Sequence, residues 1–142
     1  MPRNVLIVDE LATNRIVLKV KLSGARYGVI QAASLSEARK YIDRDPPDLV
    51  LASAHLTGAN TTQIVQALRG PARTRDIPVV LLLAQDNPEA RLDALQAGAS
   101  DVLTKPLDDG FFLARLRSLL RQHHATQAIR LFNGPAHALG SA

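Results

Sequence analysis

Cysteine is absent from the chain, which excludes a disulfide framework, a thiolate metal site and a cysteine nucleophile. Tryptophan is absent too, and only two tyrosines and three phenylalanines supply aromatic rings. So few rings argue against a platform on which nucleic-acid bases stack. No apolar run approaches the roughly 18 residues of a membrane span. No secretory leader is legible: Met1-Pro2-Arg3-Asn4 leads directly into Val5-Leu6-Ile7-Val8, which reads as a first strand. The expectation is a soluble cytoplasmic domain. Acidic residues are missing from residues 110–142, where arginines stand at 115, 117, 121 and 130. Residues 1–109 balance to neutrality, so the net charge of +4 is a basic C-terminal segment on a neutral domain. Such a segment either meets acidic surfaces or forms a solvated helix face, and nucleic acid is not the expected partner. The 142 residues match one ordinary domain with a core of its own.

What is present is an alternation of short apolar runs with amphipathic stretches. Residues 4–8, NVLIV, form a strand ending at Asp9-Glu10. Residues 11–25 place Ile16, Val17, Val20 and Leu22 among Arg15, Lys19 and Lys21, which is helical spacing. Gly24 and Gly28 punctuate the exit, and Tyr27 to Ala33 reads as a second strand. Ser34 or Ser36 caps the next helix, and Pro46-Pro47 stop it. Asp48 to Ala52, DLVLA, is a third apolar run; a helix over Thr61 to Arg69 follows, with Ile64, Val65 and Leu68 inward.

Ile77 to Ala84, IPVVLLLA, is apolar throughout, as a parallel strand buried on both faces requires. Asn87-Pro88-Glu89 starts a helix, with a capping side chain and then proline at the first helical position. Leu92 and Leu95 read as its inward residues and Gly98 as its stop. Val102-Leu103-Thr104 is a last strand, closed by Lys105-Pro106. A final helix from near Leu107 carries Phe111, Leu113, Leu116, Leu119 and Leu120. Five strands alternating with five helices predict a doubly wound α/β fold, a parallel sheet with helices on both faces. Ligands in such sheets bind beyond the carboxyl ends of the strands. That singles out Asp9-Glu10, Ser53-Ala54-His55, Leu83-Ala84 and Lys105.

These segments resemble the receiver domain of two-component response regulators over residues 3 to about 122. VLIVDE looks like the family's first strand and acidic pair, and PDLVLASAHLTG like its phosphoacceptor strand and following loop. RDIPVVLLLAQ looks like the fourth strand, and LQAGASDVLTKPLD like the fifth, which the family ends in Lys-Pro. The resemblance implies a CheY-like, flavodoxin-like strand order 2-1-3-4-5. It also implies that Asp9 and Glu10 hold Mg²⁺, that the His55 carbonyl joins the metal, and that Lys105 contacts phosphate. The bond before Pro106 is expected to be cis. A narrower resemblance, in NRIVLKVKL and LARLRSLLR, is to the front receiver of regulators that end in a diguanylate cyclase.

The sequence departs from the family where the chemistry lies. Ser53 stands at the phosphoacceptor position, Leu83 at the hydroxyl switch position and Val102 at the aromatic switch position. Glu10 replaces the commoner aspartate, and HLTGANT lacks the usual Met-Pro and Asp-Gly pattern. Serine forms no acyl phosphate, and its hydroxyl is a poor nucleophile without a positioned base. With one carboxylate fewer, no cofactor is expected beyond weakly bound Mg²⁺. Asp48 is no substitute, being at the opposite end of the strand. Asp9 and Glu10 have a plainer reading as an exposed strand end paired with Lys105. His123-His124 are read as solvated, because adjacent helical positions do not share a face.

The expectation is therefore a pseudo-receiver over residues 1–122, a non-catalytic regulatory module. Its partners would be a second copy, through the fourth helix, fifth strand and fifth helix, and a histidine kinase or a downstream output domain. The alternatives are the regulatory front of a diguanylate cyclase, with catalysis elsewhere, and a receiver phosphorylated at a relocated acidic residue. Residues 123–142 read as a helix extension to about Phe132 and a flexible tail or linker, or as a frayed end.

Overall fold

The computed structural model describes residues 3–70, 76–122 and 125. Five strands, β1 (Asn4–Val8), β2 (Gly28–Ala32), β3 (Leu49–Ser53), β4 (Val79–Leu83) and β5 (Asp101–Thr104), form one sheet in the order β2-β1-β3-β4-β5. Each neighbouring pair is parallel. The helices between them are α1 (Ala12–Gly24), α2 (Leu35–Arg44), α3 (Thr61–Arg69) and α4 (Pro88–Ala97). A fifth, α5, begins at residue 109 and runs through residue 122.

The pleat divides the apolar runs between two cores. Leu6 and Val8 of β1, Val50 and Ala52 of β3, and Leu81 of β4 pack with Ala38, Ile42, Ile64, Val65, Leu68 and Ala94 of α2, α3 and α4. On the other face Val5, Ile7, Leu49, Leu51, Val80 and Leu82 pack with Leu18 and Leu22 of α1 and with Phe112, Leu116, Leu119 and Leu120 of α5. β3 and β4 are buried at every position, as strands covered on both faces must be.

Local signals set the boundaries. Ser34 caps α2, accepting from Glu37 N–H. Asn60 and Gln63 form a reciprocal capping box on α3. Asn87 caps α4 ahead of Pro88. Gly98 ends α4 with φ +109°, a left-handed conformation that favours glycine.

One expected inward face is wrong, and in two other helices the apolar residues divide between core and surface. In α4 Leu92 and Leu95 are exposed, and Ala94, flanked by Ala90 and Ala97, faces the core. A helix laid close on the sheet presents its small side chains to it. In α1 Leu18 and Leu22 are buried while Ile16, Val17 and Val20 are exposed. In α5 the buried ring is Phe112, and its neighbour Phe111 is 61% exposed. His123, His124 and the helix extension toward Phe132 lie outside the described residues.

Candidate functional site

The carboxyl ends of β1, β3, β4 and β5 place Asp9, Ser53, Leu83 and Thr104 on one edge of the sheet. Asp9 follows β1 directly and is 3% exposed. Its backbone N–H continues the ladder to Ala32 O at 3.1 Å. Its carboxylate accepts from Leu11 N–H at 2.9 Å through Oδ1 and from Asn14 Nδ2 at 3.2 Å through Oδ2. Arg15 Nη1 donates to the Asp9 carbonyl at 2.7 Å. The plainer reading of an exposed Asp9 paired with Lys105 is therefore corrected: the carboxylate is buried and serves the start of α1.

Glu10 is exposed, yet its carboxylate reaches across to the loop after β3. Thr57 donates to it twice, from its backbone N–H and, at 2.9 Å, from its hydroxyl. Ser53 ends β3, is 7% exposed, and accepts from His55 N–H at 3.0 Å through its hydroxyl oxygen. Among the described residues, no hydrogen bond joins that hydroxyl to a histidine ring or a carboxylate that could act as its base. The His55 ring turns toward β4, where Nε2 accepts from Ala84 N–H at 3.1 Å. His55, Ala54, Leu83, Ala84, Asn87 and Ala90 line a cavity of 340 Å³ between the loops after β3 and β4.

Lys105 does not join this cavity. Its backbone N–H donates to Leu83 O at 2.8 Å. Its side chain lines a separate hollow with Asn14, Val17, Lys21 and Leu107, and it makes no ion pair with Asp9 or Glu10. The Lys105–Pro106 peptide bond is cis. Leu83 and Val102 are buried in the core, 1% and 2% exposed. Asp48 lies at the other end of β3, where its carboxylate accepts from Asn4 N–H at 2.7 Å.

A divalent cation is what the acidic pair would suggest. Among the described residues no group of three or more histidine, aspartate or glutamate side chains is arranged to hold a metal ion. The carboxylates of Asp9 and Glu10 already accept from the chain's own donors at both of their oxygens. Mg²⁺ gives up its water reluctantly and favours free carboxylate oxygens in octahedral array. With Ser53 rather than a third carboxylate at the end of β3, the donor set does not fit it.

Sequence reasoning missed several partners. Thr57 reaches the site only through tertiary approach. Arg91 of α4 was also missed; it donates to Val102 O and to Thr104 Oγ1, each at 2.9 Å, tying α4 to β5. Only Asn14, one turn beyond Asp9, had a signal that local spacing could have supplied.

A family model described as the response regulator receiver domain matches residues 5–117. Response regulator PleD of Caulobacter vibrioides is 38% identical over 121 residues, covering 85% of this chain and 27% of PleD. The phosphate regulon transcriptional regulatory protein PhoB of Pseudomonas aeruginosa is 32% identical over 120 residues, covering 84% of this chain and 52% of PhoB. The chain thus spans about a quarter to a half of these relatives' length. Among solved structures, a protein described as a response regulator from Chloroflexus aurantiacus superposes with a TM-score of 0.80 at 31% identity, covering 85% of this chain and 99% of that one. The signal receiver domain of a histidine kinase from Syntrophus aciditrophicus gives a TM-score of 0.76 at 27% identity, covering 84% and 91%. A receiver domain is a signalling module, and a catalytic domain would lie outside this chain. No described helix is long and apolar enough to cross a membrane. Strand order, the acidic end of β1, the Lys-Pro after β5 and the family match all agree, and the chain belongs to the response regulator receiver domain family.

Proposed function

We propose that this receiver is a pseudo-receiver, a contact module in two-component signalling that does not take up a phosphoryl group at the end of β3. The observation that carries the reading is Ser53, a nearly buried hydroxyl that accepts from His55 N–H. Leu83 cannot hydrogen-bond a phosphoryl oxygen and Val102 has no ring to move, so the two side chains that would relay such an event are also absent. The test is incubation with Mg²⁺ and acetyl phosphate followed by intact mass measurement. The expected result is no phosphoryl gain. A hydroxylamine-labile gain would overturn the reading and assign the phosphate to an acidic residue, Asp9 or Glu10 first.

The surfaces support contact as the output. The exposed large apolar side chains among the described residues fall into two groups. Leu92 and Leu95 of α4 and Phe111 of α5 flank β5, where Arg115 is paired with Asp101 at 2.8 Å. That face suits a second copy. Leu11, Ile16, Val17 and Val20 lie on or beside α1, which carries Arg15, Lys19 and Lys21 and no acid of its own, Lys21 being paired with Asp109 of α5. Two copies of α1 would repel, so this face suits an acid-edged partner such as a kinase or an output domain. In this reading residues 1–122 form the module.

A second reading makes the chain the regulatory part of a longer regulator, with a diguanylate cyclase as output. The observation favouring it is that PleD, 38% identical here, is matched over only 27% of its length. The reading frame after Ala142 decides: an output domain there supports it and a stop codon rejects it.

A further inference from the structure

We propose that His55 and Glu10 act as a built-in latch, side chains of the chain itself that hold the loops after β3 and β4 in one arrangement without metal or phosphoryl group. The proposal rests on the pseudo-receiver reading and extends it to the state in which the domain is held.

Three loops meet at the carboxyl edge of the sheet, after β1, β3 and β4. The last backbone bond between β3 and β4 at this edge is Ala54 N–H to Leu82 O, 2.9 Å. Beyond it the Ala84 amide leaves the ladder. Its donor is taken by the His55 ring at 3.1 Å, so the imidazole carries the β3–β4 connection past the end of the strands. The His55 main chain is itself fixed, since its N–H donates to Ser53 Oγ at 3.0 Å. On the other side Glu10 clasps Thr57, two residues beyond His55, at both amide and hydroxyl. The loop after β3 is thus tied to β1 by Glu10 and to β4 by His55.

The consequence is transmitted by chain length. Ala84 lies three residues before Asn87, whose side chain caps α4 by accepting from Ala90 N–H at 3.1 Å. Fixing Ala84 fixes the entry to α4, and Arg91 fixes the same helix to β5. The face bearing Leu92 and Leu95 is then presented in one constant geometry. An anion is a poor competitor for the Ala84 amide. The lining of the adjoining cavity holds the carboxylate of Asp86 and no lysine or arginine, and Lys105 lines a different hollow. A cation would have to share the two carboxylates with Leu11, Asn14 and Thr57, with no third carboxylate beside them among the described residues.

Amide hydrogen exchange of the full chain, read residue by residue by NMR, tests this. In the wild type the Ala84 amide should be protected, with the same protection in EDTA, in Mg²⁺, and in Mg²⁺ with beryllofluoride. In His55→Phe, which keeps a flat ring and loses the acceptor, exchange at Ala84 should speed up roughly fivefold or more, the population change controlled by one hydrogen bond of ordinary net strength. The signals of Asn87 to Leu95 should shift with it. His55→Gln, whose amide oxygen reaches the place of Nε2, should restore both. His55 is exposed, so these variants keep their core. An Ala84 amide unprotected in the wild type, unchanged in His55→Phe, or displaced by Mg²⁺ with beryllofluoride would each overturn the latch. The phosphoryl mass experiment is separate: no phosphoryl gain with an unprotected Ala84 sinks the latch and leaves the pseudo-receiver standing.

Discussion

At the scale of the residue, the backbone makes demands that composition does not reveal. Arg26 holds φ +70°, the left-handed region, in the exposed turn between α1 and β2. An L side chain there costs roughly 1–2 kcal/mol, and glycine in its place costs about 0.5–1 kcal/mol of chain entropy. Arg26→Gly should therefore raise stability by up to about 1 kcal/mol in a urea melt. Gly98 is the opposite case. At φ +109°, with Arg69 Nε 3.2 Å from where a Cβ would stand, Gly98→Ala should lower stability. The melt should show a loss of about 1–2 kcal/mol. Gly98 was legible, because it follows a helix-forming stretch and stops it. Arg26 was not, since nothing about an arginine signals a positive φ. The site divides the same way. Asp9, Ser53, Leu83 and Lys105 could be placed because each closes or follows an apolar run. The ties of Glu10 to Thr57 and of His55 to Ala84 join residues 47 and 29 apart in sequence, and no local spacing encodes them.

At the scale of the element, periodicity located the helices well and their inward faces less well. Thr61–Arg69 came out at its observed bounds, because Ile64, Val65 and Leu68 are its buried residues. α4 offered two stripes, one of Leu92 and Leu95, the other of Ala90, Ala94 and Ala97. Hydrophobicity favours the leucines, but the closeness of α4 to its neighbours favours the alanines. α5 sets the same problem with Phe111 and Phe112, adjacent and chemically identical. Phe112→Ala empties a fully buried site and should cost about 3–5 kcal/mol, a large part of a domain's stability. Phe111→Ala should stay within about 0.5 kcal/mol of the wild type. Thermal and urea melts of the two variants check the assignment. Equal losses would mean that both rings are buried.

At the scale of the whole molecule, the distribution of charge separates the two exposed apolar faces. α1 carries no acid of its own, and although Lys21 is paired with Asp109, Arg15 and Lys19 have no carboxylate partner among the described residues, so a two-fold contact through it sets like charges against each other. Beside β5 the charges cancel locally, Arg115 with Asp101 and Arg91 with Asp86. Leu92, Leu95 and Phe111 are then free to meet their own copies without repulsion. Stable pairing needs about 800 Å² from each partner, more than three side chains give, so the groove of Val102, Leu103 and Thr104 between them must be covered as well. Sedimentation equilibrium should show concentration-dependent dimers of the wild type. Leu95→Glu and Phe111→Glu, each burying an unpaired charge at the centre of the contact, should weaken association roughly tenfold or more, about 1.4 kcal/mol. Both positions are exposed in the single chain, so the melts of these variants should be nearly unchanged, which separates lost pairing from lost folding. Ile16→Glu on α1 should leave the dimer intact. A wild type that stays monomeric at every concentration, or a dimer broken by Ile16→Glu and untouched by Phe111→Glu, would move the self-contact away from β5.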